Sequence, residues 1–308
     1  MLRRTEAWHP GPCWLLLLLL WFSGAVAMAE APVPAQGPSA ASGDEGLLFE
    51  LTPAGGGPTS YLFGTIHSED PRVLALPQPA VAALASAHTL VLEMVPDTAS
   101  IRAAAAAMRL DDGGRLEHLV PPELYQRCLE AAAARGLPEG ALAGLKPWAV
   151  MLLMSMPPAQ TGEFLDRRLY EVASAQDKPT LGLEATGEQL SLFEQFSIDE
   201  QLGLLRSALA AQAEREQALE NLVTAYTRGA LGELLVLSDA GAPGLDPDLR
   251  ARFRQVVIDS RNARMLRRIG ALPADRSYFI AVGALHLPGP TGLLAGLREA
   301  GFGVRRLY

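Results

Sequence analysis

The chain has 308 residues, of which 49% are apolar and 19% are charged, a composition typical of globular proteins and unlike that of disordered ones. The net charge is -8 with neutral histidines, and the sequence pI is about 5.2. Basic residues form no run longer than a pair such as Arg3 and Arg4, so the electrostatic footprint of a nucleic-acid-binding protein is absent.

The amino terminus has the three parts of a secretory signal. Arg3 and Arg4 precede an apolar run over 14–22, and residues 25–29 offer two sites of the small-x-small type. This pattern predicts a signal peptide over 1–29. An uncleaved membrane anchor is the alternative, although the apolar run is short for a bilayer span. We expect an exported protein whose mature chain contains no membrane span.

Residues 30–46 are rich in Ala, Pro, Gly and Ser, which predicts a disordered linker, so the folded domain is expected over 47–308. Apolar runs at 47–51 and 60–66 flank a Pro- and Gly-rich stretch, and we interpret them as a β-hairpin that opens a sheet.

Further strands are predicted after the hairpin, and helical patterns separate most of them. Alternation of strands and helices favours an α/β fold with a mostly parallel central sheet flanked by helices, and the helical region 98–175 is interpreted as an insertion or cap over the cleft. Thr186 is predicted to cap a helix, with Gln189 at the capping-box position. The other predicted strands are 89–95, 178–183, 278–282 and an edge strand at 304–307, and the predicted helices are 79–87, 98–110, 121–136, 142–156, 164–175, 198–240, 246–269 and 292–300.

Ionisable side chains follow four of the apolar strands. His67, Glu93, Glu184 and His286 each come directly after a run that must be buried. In open α/β sheets, functional sites gather at the carboxyl ends of the strands. A charge buried there is unfavourable unless it is paired or metal-bound, so the four groups predict a divalent-metal or acid–base site.

Two of these positions share a Gly-x-x-His pattern, Gly64 to His67 and Gly283 to His286. We expect each glycine to let the backbone bend or to allow another segment or a ligand to approach closely. His88 and His118 lack this setting and are interpreted as surface histidines or local hydrogen-bonding partners.

Several other catalytic motifs are absent from the sequence. It contains no Gly-x-Ser-x-Gly, no phosphate loop and no His-Glu-x-x-His. Cys128 is the only cysteine of the predicted mature chain and is interpreted as a buried helical thiol.

The motif order resembles a known family. The blocks that look like those of the TraB/GumN family are Tyr61 to His67, Leu92 with Glu93, Gly182 to Glu184 with Glu188 and Gln189, Arg261 and Asn262 with Met265, and Val282 to Gly289. That family is similar to the Tiki metalloproteases and, more distantly, to erythromycin esterases and heme-binding ChaN-like proteins.

The resemblance implies that the two Gly-x-x-His motifs line one cleft. It places His67, Glu93 and His286 at catalytic or metal-binding positions and Glu184 at a family glutamate of less defined role. Arg261 and Asn262 match a further polar motif. Arg261 is expected either to neutralise a developing oxyanion or substrate carboxylate or to pair with Asp259 on its own helix.

We therefore expect an exported, peptidase-like hydrolase, in a bacterial periplasm, that acts on a peptide or a small molecule. Its cofactor is expected to be a divalent metal ion of the Mn, Co or Zn class, held by His67, His286 and Glu93. A metal-free histidine mechanism, a heme- or ligand-binding protein that uses the same histidines, and a non-catalytic signalling partner are the alternatives. Oligomeric state and substrate stay open.

Overall fold

A computed structural model describes residues 45–138, 140–158 and 160–308. The predicted signal peptide and residues 30–44 of the predicted linker lie outside the described residues.

The described chain is built on a six-stranded sheet with the order β4-β3-β5-β2-β1-β6. Strands β4, β3, β5 and β2 are parallel to one another, and β1 runs antiparallel to both of its neighbours. The parallel part, the opening hairpin and the edge position of the last strand confirm the predicted architecture. The strands are β1 (Leu48–Thr52), β2 (Ser60–Thr65), β3 (Thr89–Leu92), β4 (Thr180–Gly182), β5 (Tyr278–Gly283) and β6 (Gly303–Arg306).

Thirteen α-helices are present in the described residues, and polar side chains cap several of them. Asp97 accepts a hydrogen bond from the Ser100 amide at the start of α3, and Ser197 caps α8 in the same way. The helices are α1 (Pro71–Leu74), α2 (Gln78–Ser86), α3 (Thr98–Ala107), α4 (Pro122–Ala134), α5 (Pro147–Ser155), α6 (Leu165–Ala175), α7 (Thr186–Leu190), α8 (Ile198–Ala210), α9 (Arg215–Thr227), α10 (Leu231–Ala240), α11 (Pro247–Arg254), α12 (Ser260–Gly270) and α13 (Leu293–Glu299).

Buried apolar side chains form two clusters, which define a sheet layer and a helical layer. Strands β2, β3 and β5 are buried along almost their whole length, and helices α2, α6, α9, α12 and α13 pack against the sheet. The second cluster joins α3, α4, α5 and α8 around Trp148, which stacks on Phe193 with ring centroids 5.3 Å apart. The helical layer therefore differs from the predicted insertion 98–175, because α6 belongs to the sheet core and α8 joins the helical cluster.

The structure divides two predicted helical stretches into their helices and corrects one predicted cap. The helices predicted over 198–240 are α8, α9 and α10, and those predicted over 246–269 are α11 and α12, joined by a π-helical turn at Gln255–Asp259. The cap of α7 is Ala185 rather than Thr186, and the Glu188 carboxylate accepts a hydrogen bond from the Ala185 amide at 2.8 Å.

None of the helices in the described ranges combines the length and the apolar character that a bilayer crossing requires.

Gly64 allows the close approach between chain segments that its sequence setting predicts. A Cβ added there would lie 3.3 Å from both the Cα and the Cβ of Ala284 and 3.2 Å from Leu287 Cδ1. Ala284 begins the short turn, Ala284–His286, that carries His286. The missing side chain thus lets β2 contact the turn after β5 directly. Gly283 has an ordinary φ of -54°, and it contributes a backbone amide rather than conformational freedom.

Substituting Gly64→Ala is expected to reduce the free energy of unfolding by about 1–3 kcal/mol, because the Ala284 backbone must move to admit a methyl group. Chemical denaturation measures the loss. Gly270→Ala is the matched control, since no atom lies within 4 Å of its added Cβ. Equal stability of the two variants would contradict the packing argument.

Candidate active site

The carboxyl ends of the four parallel strands bring the predicted residues to one edge of the sheet. Glu93 follows β3, Glu184 follows β4, and His286 ends the turn after β5. These three side chains, together with Arg261 and Asn262 from α12, form one continuous hydrogen-bond network. His67 follows β2 at the same edge, but its contacts lie outside this network.

Arg261 is the centre of the network. Its Nε and Nη2 donate to Glu184 Oε2 at 2.8 and 2.6 Å, and Nη2 also donates to Glu93 Oε2. Its Nη1 lies 3.0 Å from His286 Nε2. Because the guanidinium is 0% exposed, it is placed to position these groups rather than to contact a substrate. The alternative pairing with Asp259 is wrong, since Arg261 bonds to the two glutamates and Asp259 accepts from the Thr291 hydroxyl.

Further donors complete the environment of the two carboxylates. Arg264 Nε donates to Glu184 Oε1 at 3.0 Å, and the Gly283 amide donates to Glu93 Oε1 at 2.6 Å. Gln189 Nε2 donates to both glutamates. Two carboxylates therefore face two guanidinium groups, so the network has balanced charge.

Asn262 sets the tautomer of His286. The amide nitrogen of Asn262 donates to the Thr291 carbonyl, so its Oδ1 faces His286 Nδ1 at 2.6 Å. An amide oxygen accepts only, and Arg261 donates only. His286 must therefore carry its proton on Nδ1 and accept from Arg261 with Nε2.

The charge states follow from burial and from Arg261. Burial alone would raise the pKa of Glu93, but the Arg261 charge and the hydrogen bonds from Arg261 and Gly283 outweigh it and lower the pKa to about 2. Burial lowers the pKa of His286 to about 3, and the Arg261 charge acts in the same direction. At neutral pH, Glu93 is ionised and His286 is neutral.

His67 faces an acid that the sequence interpretation missed. Its Nδ1 lies 3.8 Å from Asp166 Oδ2, which is too long for a hydrogen bond, and both side chains are 10% exposed. Thr65 Oγ1 donates to the other oxygen, Asp166 Oδ1, at 3.2 Å. Burial raises the pKa of the Asp166 carboxyl. The Phe164 ring lies edge-on to His67, with centroids 5.7 Å apart.

Glu69 ties the loop after β2 to the segment that precedes α6. Its carboxylate accepts hydrogen bonds from the amides of Gln160, Thr161 and Gly162 and from the Thr161 hydroxyl. The start of α6, which carries Asp166, is thereby fixed next to the loop that carries His67.

Three site residues were not identified from the sequence: Gln189, Asp166 and Arg264. Gln189 had been interpreted as a capping residue within a family block and Asp166 as part of the predicted helix 164–175, and no local pattern singles out Arg264. The other histidines behave as predicted, since His88 Nδ1 bonds to Thr89 Oγ1 and His118 is 73% exposed. Cys128 is buried, which raises the pKa of its thiol to about 11.

The donor atoms decide where a metal ion fits. Within the described ranges, no three His, Cys, Asp or Glu side chains are grouped so that they could hold a metal. Glu93, Glu184 and His286 use their lone pairs on Arg261 and its neighbours, so a cation among them would have to displace the guanidinium. His67 Nδ1, by contrast, is buried and has no hydrogen-bond partner among the described residues. Of the three predicted ligands, His67 alone presents an unused donor atom.

A cleft of about 670 Å³ borders the network on the β4 side. Its volume lies in the range of small-molecule and peptide-binding clefts. The wall consists of the loop after β3, one face of α3 and the start of α7, and it includes Met94, Val95, Ala99, Ala103, Glu184, Thr186 and Arg268.

Replacement of Arg261 is expected to be strongly destabilising. Arg261→Met leaves Glu93 and Glu184 buried without their shared counter-charge, and removal of one partner from such a pair costs about 3–5 kcal/mol. Urea denaturation measures the change. Adding Glu184→Gln to this variant should recover part of the loss, whereas Arg305→Met, which breaks an exposed pair with Glu50, should have a much smaller effect. No recovery in the double variant would contradict the network.

The network also predicts acid sensitivity. His286 binds a proton below about pH 6.5 in the unfolded chain but only near pH 3 in the folded chain. The unfolded state therefore binds more protons between these values, and stability present above pH 6.5 is lost as the pH falls toward 3. We expect the wild-type melting temperature to fall more steeply than that of His286→Gln between pH 7 and 4.5. Parallel curves would show that His286 titrates normally.

Comparison with known proteins places the chain in a family. The family model described as TraB/PrgY/gumN matches residues 48–306. The chain is 27% identical over 299 residues to the protein named Metalloprotease TIKI1 of Danio rerio and 27% identical over 300 residues to Metalloprotease TIKI2 of Xenopus tropicalis. Both alignments cover 80% of this chain, which spans only 60% and 57% of the length of those two proteins.

A bacterial relative is covered more completely. The chain is 25% identical over 247 residues to uncharacterized protein YbaP of Escherichia coli, and this alignment covers 77% of the chain and 87% of that protein. No solved structure matches the chain. Because the family model spans nearly the whole described fold, the chain belongs to the TraB/PrgY/gumN family.

Proposed function

We propose that this protein is an exported, metal-dependent hydrolase that cleaves peptides. The observation that carries the proposal is that the Arg261 network and His67 lie at the same edge of the sheet. Glu93 is partly open to solvent there, with 12% of its side chain exposed. The names of the Tiki relatives support a proteolytic reaction, and the predicted signal peptide supports export to a compartment such as a bacterial periplasm.

Glu93 is assigned to orientation. Arg261 and the Gly283 amide hold both of its oxygens, and its low pKa keeps the carboxylate ionised at neutral pH. A carboxylate of such low pKa is a weak proton acceptor but a fixed hydrogen-bond acceptor. It therefore orients an attacking water or the amide of a peptide substrate at the edge of the site.

Arg261, Glu184, Asn262 and His286 act behind Glu93. They are buried, and their mutual hydrogen bonds fix the position of the carboxylate before any substrate binds. Polar groups fixed in advance stabilise developing charge without reorganisation, which is the largest contribution to catalysis in many hydrolases.

His67 is the residue that would hold the metal ion, because its Nδ1 is the buried donor that no described residue uses. When bound there, a divalent ion of the Mn, Co or Zn class would supply Lewis-acid activation of a carbonyl group and of water. The cleft beside Glu184 and Met94, on the β4 side of the Arg261 network, provides room for a peptide side chain.

Peptide hydrolysis provides the test. The purified protein is assayed on a fluorogenic peptide library before and after chelation, and then after Mn²⁺, Co²⁺ or Zn²⁺ is restored. His67→Ala and Glu93→Gln are expected to lower kcat/KM by about 10²–10⁴-fold, the usual contribution of a positioned catalytic group.

His118→Ala, at an exposed position away from the site, is the control and should retain wild-type activity. Full activity in His67→Ala, or hydrolysis that no chelator affects, would refute the metal-dependent mechanism.

A further inference from the structure

Two buried polar atoms at the edge of the sheet face each other without a hydrogen bond. In the described part of the chain, His67 Nδ1 and Asp166 Oδ2 are two of only three buried side-chain polar atoms that lack a partner, the third being Arg135 Nε. Buried polar groups are almost always satisfied, and these two atoms form only a loose ion pair 3.8 Å apart, so they are a donor pair that a ligand could satisfy.

We propose that His67 Nδ1 and Asp166 Oδ2 are two ligands of a divalent-cation site that is separate from the Arg261 network. The inference shares with the proposed function the expectation of a metal ion. The choice of Asp166 as the second ligand rests on the geometry alone.

The distance suits a cation between the two atoms. Divalent ions of the Mn, Co and Zn class bind imidazole nitrogen and carboxylate oxygen at about 2.0–2.2 Å. Two such bonds span at most about 4.4 Å, so a separation of 3.8 Å lies within the reach of a single bridging ion. Water or substrate atoms would complete the coordination.

The charge of Asp166 also favours a cation. Glu93 and Glu184 each receive a guanidinium group, whereas the hydrogen-bond donor to Asp166 in the described residues is the neutral Thr65 hydroxyl. The basic group that faces Asp166 is the His67 imidazole, 3.8 Å away, and an imidazole that binds a metal ion is neutral, so the ion itself would have to balance the buried carboxylate. A divalent ion supplies the missing positive charge, which a bridging water does not.

The surrounding contacts hold both ligands in place. Thr65 engages Asp166 Oδ1 and so leaves Oδ2 facing His67. The hydrogen bonds that the amides of residues 160–162 donate to the Glu69 carboxylate fix the start of α6 against the loop after β2. Outer contacts of this kind orient metal ligands in known sites, and their loss lowers metal affinity by about 10–100-fold.

The proposed cation site would lie beside the permanently charged guanidinium group of Arg261. Arg261 neutralises Glu93 and Glu184 and so keeps them from binding metal, while Asp166, on a different helix, stays available. The metal ion is then confined to the His67 side of the edge, and removal of Asp166 should weaken binding without disturbing the Arg261 network.

Direct metal binding tests the inference. Calorimetry and Mn²⁺ electron paramagnetic resonance on the full chain measure affinity for Mn²⁺, and the shift in melting temperature is recorded with Mn²⁺, Co²⁺ or Zn²⁺. Asp166→Asn and His67→Gln are each expected to weaken Mn²⁺ binding at least about tenfold and to remove the metal-induced rise in melting temperature.

Glu171→Gln is the matched control, because Glu171 is an exposed carboxylate on the same helix, paired with Arg167. It should bind Mn²⁺ like the wild type. The metal-free melting temperature of Asp166→Asn should equal or exceed that of the wild type, since an unpartnered buried oxygen is replaced. If this variant does not fold, His67→Gln decides the question.

Wild-type Mn²⁺ affinity in Asp166→Asn would overturn the inference, as would a wild-type chain that binds none of the three metals. The two proposals can fail separately. If metal binding depends on Asp166 but the protein hydrolyses no peptide, the proposed function alone is refuted. If hydrolysis is sensitive to chelators but Asp166→Asn binds metal like the wild type, only the assignment of Asp166 as a ligand is refuted.

Discussion

The arrangement of the candidate site depends on one fully buried guanidinium. Arg261 lies 0% exposed between two carboxylates and an imidazole, and each of those groups follows a different strand of the sheet. Removing an arginine from water is unfavourable unless its donors find acceptors. The strand ends supply them, so the same contacts that allow Arg261 to be buried also fix Glu93 and His286 relative to each other.

Much of this arrangement was predictable because strand ends obey simple rules. A carboxylate or imidazole after a parallel strand must lie at one edge of the sheet, which correctly brought Glu93, Glu184 and His286 together. The expectation that each of these strands is buried fails for β4, an edge strand on which Leu181 is exposed. The position of Gly64 likewise predicted a close approach between segments. These inferences need only the direction of the strands and the unfavourable free energy of burying a charge.

The remaining features depend on contacts between distant segments that have no local signal. Asp166 is 101 residues from Thr65, and an acid in the first turn of a helix is favoured by the helix dipole in any case. Gln189 fits a capping pattern, yet the helix is capped by Ala185, one residue before the predicted cap. The side-chain amide of Gln189 donates to Glu184 instead. Which histidine can bind a metal ion depends on which ring nitrogens are hydrogen-bonded. Arg261 donates to His286 Nε2 and leaves His67 Nδ1 without a partner in the described residues, and only three-dimensional geometry decides that.

The fold separates the chemistry from the surface that selects a substrate. The charged network and the His67–Asp166 pair are held by the sheet and by α6 and α12, all of which belong to the sheet core. The cleft borders the network at Glu184 and is walled by α3 and α7, and α3 packs into the separate helical cluster through Ala104. Side chains on α3 can therefore change without altering the strands that position Glu93.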